Sequence, residues 1–169
     1  MRTTVAFSSL VLTAALAVGS ANAQSEPPLD SGSFPVLSVH VVGVSELAAG
    51  LGVDSTGLRE QVERQLVRAG FRLADPIERE IDPEIPRLVV NVGLFTTRDS
   101  STVYSILLEL VELVRIKRNG LETHAVNWSE QVLGIAPRAE SGSATRGATA
   151  ALVDLFLKRT GAAAVGGGR

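Results

Sequence analysis

The dipeptide Asn119-Gly120 constrains this chain more than any other feature, because it separates two long runs of β-forming residues. A two-residue hairpin turn needs positive φ angles, which glycine adopts freely and asparagine adopts more readily than most residues. We therefore predict a β-hairpin over residues 101–137, with Arg118 opposite Leu121. This register predicts an apolar face built from the pairs Leu113 and Val126, Val111 and Trp128, and Leu107 and Val132.

The second face of the hairpin is the predicted interaction surface. The first strand is apolar on this face as well, which indicates a central strand or a strand that meets a partner. The predicted partner-binding residues on this outer face are Phe95, Tyr104, Ile106, Leu108 and Leu110. The alternative is that these residues are covered, by the crossover around residues 76–86, by the leader before the first strand, or because the predicted register is in error. The register also brings Glu109 near Glu130 on the core face, which is unfavourable unless a β-bulge shifts the pairing.

Hydrophobic periodicity predicts the remaining elements. Strands are expected at residues 36–44 and 87–97, and amphipathic helices at about 54–69 and 143–160. Residues 46–54 are expected to form a connection. Residues 75–86 hold three prolines and several charges and are expected to form an irregular surface segment. The order β-α-β-β-β-α predicts an α+β fold, a two-layer sandwich of a mainly antiparallel four-stranded sheet with two helices on one face. Residues 71–74 could add a short strand.

The beginning of the chain predicts export. Residues 1–23 have a basic start, an apolar run and the small-residue pattern Ala21-Asn22-Ala23, which together are typical of a secretory signal peptide cleaved after Ala23. The apolar run is shorter than the ~20 residues that a transmembrane helix needs. We therefore expect a periplasmic or secreted protein, with a flexible leader at 24–35, a single α+β domain at 36–163 and a disordered tail at 164–169.

Composition restricts the partners and the chemistry. The sequence has 169 residues, 45% of them hydrophobic, with 16 Lys and Arg against 18 Asp and Glu. This mild acidity predicts no nucleic-acid binding, and we expect no stable membrane span after signal cleavage. The absence of cysteine excludes a disulfide, a thiol nucleophile and the lipid-bearing cysteine of a bacterial lipoprotein.

No residue pattern indicates catalysis. His40 and His124 are the only histidines, and neither has the spacing of a metal site. Gly50, Gly52 and Gly57 precede a helix, but they match neither the dinucleotide fingerprint nor the Walker phosphate loop. Trp128 is expected to be a core anchor. We therefore expect no enzyme, no cofactor, no metal and no catalytic residue.

Three segments together resemble a group of small bacterial envelope domains. The segments are LREQVERQLVRAGFRL, the hairpin YSILLELVELVRIKRNGLETHAVNWSEQVLG and the alanine-rich closing helix. They are similar to the amino-terminal domain of TolB, to CsgG of curli secretion and to lipoproteins that assist outer-membrane assembly and transport. The likeness covers about residues 36–163 and implies a binding or assembly module without catalytic residues.

The sequence therefore predicts an exported, non-enzymatic accessory module. We expect it to engage an envelope protein, or a second copy of itself, through its sheet. The alternative is a carrier of a small apolar ligand or lipid between the sheet and the helices. A hydrolytic enzyme that uses loop residues is the third and least favoured hypothesis.

Overall fold

The computed structural model describes Leu29 and residues 36–162. The strands are β1 (Val36–Val42), β2 (Arg72–Leu73), β3 (Arg87–Thr96), β4 (Ser101–Arg115) and β5 (Glu122–Pro137). The helices are α1 (Glu46–Gly50), α2 (Ser55–Arg68), α3 (Pro76–Ile81) and α4 (Ser141–Arg159). The predicted signal peptide, the predicted tail and all of the predicted leader except Leu29 lie outside the described residues. Leu29 is half-buried and packs against the core.

The five strands form one sheet in the order β2-β1-β3-β4-β5. β1 is parallel to both β2 and β3, whereas β3, β4 and β5 follow one another in antiparallel pairs. The α+β class is confirmed, but the predicted four-stranded sheet is wrong, because the sheet has five strands and is mixed. The fifth strand, β2, lies within residues 71–74, where the sequence left a short strand open, and its two residues are too few to show alternation.

The core lies between the sheet and the two long helices. Helix α2 buries Leu58, Val62 and Leu66, and it begins where Asp54 caps the amide of Gly57 at 2.7 Å. Helix α4 buries Phe156 between two other aromatic rings. The Phe156 ring lies 5.4 Å from Trp128 and 6.0 Å from Phe71, measured between centroids. These contacts join β5, α4 and the segment between α2 and β2 in one apolar layer.

Two segments expected to be irregular contain short helices. Helix α3 begins at Pro76, inside the segment that we predicted to hold no regular element. Asp75 accepts hydrogen bonds from the amides of Ile77 and Glu78, and the Glu78 carboxylate reaches back to the Asp75 amide. Proline at the first helical position is favourable, because its missing N–H has no partner there. Likewise, Ser45 caps α1 within the predicted connection.

The β4–β5 hairpin is present, but its turn and register differ from the prediction. The carbonyl of Ile116 accepts hydrogen bonds from the amides of Asn119 and Gly120, and the Ile116 amide donates to the Leu121 carbonyl. The loop therefore has four residues, and Arg118 does not face Leu121. Glu122 faces Arg115 instead, and Gly120 alone in this loop has a positive φ, of 71°.

A β-bulge shifts the pairing a second time. Leu110 faces Trp128 and Val111 faces Val126, so Asn127 is the extra residue on β5. Glu109 consequently faces Ser129 on the side of the sheet away from the helices. The bulge thus removes the predicted conflict between Glu109 and Glu130 on the core face.

Candidate functional site

The structure reverses the two faces that we predicted for β4. Ile106, Leu108 and Leu110 were expected on the outer face, but they lie in the core and are at most 1% exposed. The observed pairing puts Trp128 opposite Leu110, whereas the predicted register put it opposite Val111. Because side chains alternate along a strand, this shift of one residue turns the other face of β4 toward the helices. Leu107, Val111 and Leu113 project outward as a result.

Tyr104 was also predicted on the outer face, and this placement is wrong. Tyr104 has the same parity as the buried residues of β4 and packs against the core while remaining partly exposed. It faces Gly134 across the hairpin, and a Cβ atom at Gly134 would overlap the Tyr104 ring. Phe95 is the one predicted site residue on the outer face.

We use the term outer face for the side of the sheet that points away from α2 and α4. Its most exposed apolar side chains lie at the end of the sheet near the β3–β4 turn. Phe95, Val103 and Ile135 face one another across β3, β4 and β5 in a single row. Phe95 is 66% exposed, Ile135 64% and Leu133, in the next row, 61%. The outer face continues across the sheet through further apolar side chains at Leu107, Val111, Leu113 and Val126.

The charged residues on the outer face are one base and one acid, which balance each other. Over the region shared by β3, β4 and β5, the charged side chains are Arg87 and Glu109, which lie in adjacent rows. The Gln131 side-chain amide donates a hydrogen bond to Ser105 Oγ at 2.9 Å. The outer face therefore combines exposed apolar side chains with a near-neutral charge, as protein-binding surfaces commonly do.

Sequence reasoning missed Leu133 and Ile135, although a signal for them existed. Ser129 and Gln131 were expected to point outward, and alternation carries the same parity to Leu133 and Ile135. Glycine and alanine occupy the intervening positions, so this part of β5 has its larger apolar side chains on the outer face.

The layer between sheet and helices is filled by the protein's own side chains. The largest of these, including Phe156, Leu152 and Leu58, are less than 2% exposed. No observation there favours the alternative of a carrier that holds a lipid between the two layers. Trp128, predicted as a core anchor, is buried against Phe156.

The two histidines lie apart. His40 is half-buried on β1, where its Nε2 atom lies 3.3 Å from Ser38 Oγ, and His124 is exposed near the end of the hairpin. Among the described residues, no three His, Asp or Glu side chains are grouped so that they could hold a metal ion. In the same part of the chain, no helix combines the length and the apolar character needed to cross a membrane.

Within the described residues, the fold is a two-layer α+β domain whose outer face leaves Phe95, Leu133 and Ile135 more than 60% exposed. The sequence matches no protein-family model and no curated protein. Among solved structures, the chain is similar to a PelC dodecamer from Paraburkholderia phytofirmans, with 20% identity, a TM-score of 0.46 and coverage of 80% of this chain and 92% of that one.

Two further solved structures are similar to this chain at comparable TM-scores. A hypothetical protein from Chlamydia trachomatis shares 11% identity at a TM-score of 0.47, over 75% of this chain and 98% of that one. A lipoprotein from Neisseria meningitidis shares 18% identity at a TM-score of 0.41, over 73% and 97%. Because every TM-score here is below 0.5, no function is transferred from these proteins. The resemblance to TolB and CsgG stays a prediction.

Proposed function

We propose that this chain is a non-enzymatic binding module of the bacterial envelope that joins a protein partner through the outer face of its sheet. The observation that supports the proposal is the exposed apolar row of Phe95, Val103 and Ile135, with Leu133 beside it. A contiguous apolar surface of this kind on a soluble domain is costly to leave in water and commonly marks a binding site. The predicted signal peptide at residues 1–23 supports the proposed location.

We propose a second copy of the chain as the favoured partner of the outer face. With one arginine and one glutamate in its shared region, the outer face brings no net charge against a copy of itself. Two such faces can pack as aligned sheets with their side chains interdigitated. Another envelope protein with an apolar surface is the second form of the same proposal.

Light scattering after size exclusion tests self-association of the chain that begins at Gln24. We expect a mass above that of the monomer at high concentration. Phe95→Ser and Ile135→Ser, separately and combined, should weaken the association about tenfold or more, because exposed aromatic and aliphatic anchors dominate such interfaces. Ile81→Ser is the matched control, because Ile81 is similarly exposed, at 74%, but belongs to helix α3 and not to a strand of the sheet.

Site-specific photocrosslinking in cells tests the second form of the proposal. A photoreactive residue at position 135 should give a discrete adduct, and the same residue at position 81 should not. A chain that is monomeric at every concentration and gives no adduct from position 135 would contradict the proposed function. Equal effects of Ile81→Ser and Ile135→Ser on association would contradict the role of the outer face.

A further inference from the structure

The edge of β1 opposite β3 is mostly unpaired in the described part of the chain. β2 pairs with β1 only at Val36 and Leu37. The Ala74 amide donates to the Leu37 carbonyl at 2.9 Å, and the chain then turns away into α3. The turn is enforced locally, because Asp75 caps α3 and Pro76 has no N–H to continue a ladder. β1 nevertheless runs on to Val42.

The backbone groups of β1 alternate between this edge and the side of β3. The Ser38 amide donates to the Pro86 carbonyl at 3.0 Å, on the side of β3. In a strand, the N–H and C=O of successive residues point alternately to the two sides, so His40 and Val42 also bond toward β3. The N–H and C=O groups of Val39 and Val41 therefore point to this edge. Val39 is only 2% exposed, so half-buried Val41 presents the accessible backbone groups, on which another extended chain can pair.

A cleft of about 510 Å³ lies along this edge. Its floor includes four consecutive residues of β1, from Val39 to Val42. Because successive side chains point to opposite faces, four consecutive residues line a cleft together only through the edge of their strand. The first turns of α2 form one wall and α3 forms the other, through the residues Ser55, Thr56, Arg59, Pro76, Arg79 and Glu80.

The size of the cleft suits one extended chain. Four strand residues span about 13 Å, so a volume of about 510 Å³ corresponds to a cross-section of roughly 40 Å². One strand in a packed sheet occupies about 4.8 Å by about 10 Å, or roughly 48 Å². The cleft can thus hold a single added strand with its side chains partly exposed.

The walls of the cleft are positively charged. Arg59 has a long ion pair with Glu63, at 3.9 Å, and the Arg79 Nε atom donates to the backbone carbonyl of Asp75. Burial lowers the pKa of His40, and the charges of Arg87, Arg79 and Arg59 lower it further, which reflects the positive field in this region. Glu80 is the acidic residue of the lining.

We propose that this cleft binds an extended acidic segment of a partner protein by strand addition to β1. The backbone of the segment pairs with Val41, and a carboxylate on it contacts Arg59 and Arg79. Main-chain pairing supplies affinity in this mode of recognition, and the arginines supply the preference for acid. This site lies at the β1 edge of the sheet, whereas the exposed apolar row lies on β3, β4 and β5, and the site does not depend on the function proposed for that row.

Amide hydrogen exchange, followed by NMR on the chain that begins at Gln24, tests the open edge. We expect the Val41 amide to exchange rapidly, and those of Ser38, His40 and Val42 to be protected by β3. If Val41 exchanges as slowly as its neighbours, the edge is already occupied and the proposal fails.

A displayed library of random ten-residue peptides tests the ligand. We expect selection to enrich acidic, β-forming peptides whose binding slows exchange at Val41. N-methylation of alternate peptide bonds should abolish binding. The combined change Arg59→Glu and Arg79→Glu should weaken binding at least tenfold, whereas Arg98→Glu with Arg118→Glu, the same charge change at two exposed turns, should not.

The neutral pair Arg59→Gln and Arg79→Gln gives the same comparison if the charge-reversed protein does not fold, which circular dichroism will show. Selection without enrichment of acidic peptides, or binding that survives N-methylation or loss of both arginines, would overturn the proposal. Variants at Phe95 and Ile135 should retain peptide binding, which separates this result from the test of the outer face.

Discussion

At Gly142 the first turn of α4 lies directly against the loop that follows α1. A Cβ atom at this position would overlap the carbonyl oxygen of Leu51. A backbone oxygen cannot move aside as the end of a flexible side chain can, so the contact requires glycine. Gly147 lies in the same helix, and a Cβ atom there would meet no atom within 4 Å. The two glycines therefore play opposite roles in the stability of one element.

We predict that Gly142→Ala lowers the free energy of unfolding by about 1–3 kcal/mol, as overpacking usually does. Gly147→Ala should instead raise it by about 0.5–1 kcal/mol, because alanine loses less backbone entropy in a helix interior. Urea denaturation followed by circular dichroism measures both changes. A loss of stability in both variants, or in neither, would show that the contact with Leu51 does not limit the packing of α4.

At the scale of elements, the β4–β5 hairpin shows what residue patterns can and cannot predict. The Asn119-Gly120 reversal, helix α2 and helix α4 were all predicted close to their observed bounds, because turn chemistry and helical periodicity are local signals. The pairing register of β4 with β5 depends on the length of the loop between them, which the sequence does not specify. Asn119 keeps a negative φ, so the loop takes four residues instead of two.

The prediction of which face of β4 is buried failed for a second physical reason. β4 is apolar on both sides, with Ile106, Leu108 and Leu110 on one and Leu107, Val111 and Leu113 on the other. Such a strand has no amphipathic signal, so the register alone decides which side is buried. The existence of an exposed apolar sheet face was inferable from β4, but most of its members were not. Phe95 was identified because it follows the clear alternation of β3, which buries Leu88, Val90, Val92 and Leu94.

The turn of the hairpin provides a prediction at this scale. Gly120 has a φ of 71°, in the left-handed region that disfavours a side chain. Gly120→Ala should lower the free energy of unfolding by about 1–2 kcal/mol, measured by urea denaturation. Lys117→Ala, in the same loop at an exposed position, should leave it nearly unchanged. Equal stability of the two variants would mean that the hairpin does not depend on this turn geometry.

At the scale of the whole molecule, the aromatic contacts predict cooperative unfolding. Trp128 is the only tryptophan and packs between the sheet and α4, in contact with Phe156, which in turn contacts Phe71. Loss of any of the elements joined by these rings should expose Trp128. Its fluorescence should therefore shift to longer wavelength in the same urea range in which far-ultraviolet circular dichroism reports loss of the sheet and helices. A fluorescence transition that precedes the dichroism transition would show that α4 separates from the sheet before the domain unfolds.

The parallel pairing of β1 with β3 has a consequence for the order of events in folding. β3, β4 and β5 are neighbours in sequence, so short loops close their ladders at little entropic cost. Ser38 of β1, however, pairs with Arg87, across the whole of α2, β2 and α3. Contacts between residues so distant in the chain form slowly. We therefore expect the first strand in sequence to be among the last to be incorporated, so that a nascent chain carries β1 with both of its edges bare until the rest of the sheet is ready to receive it.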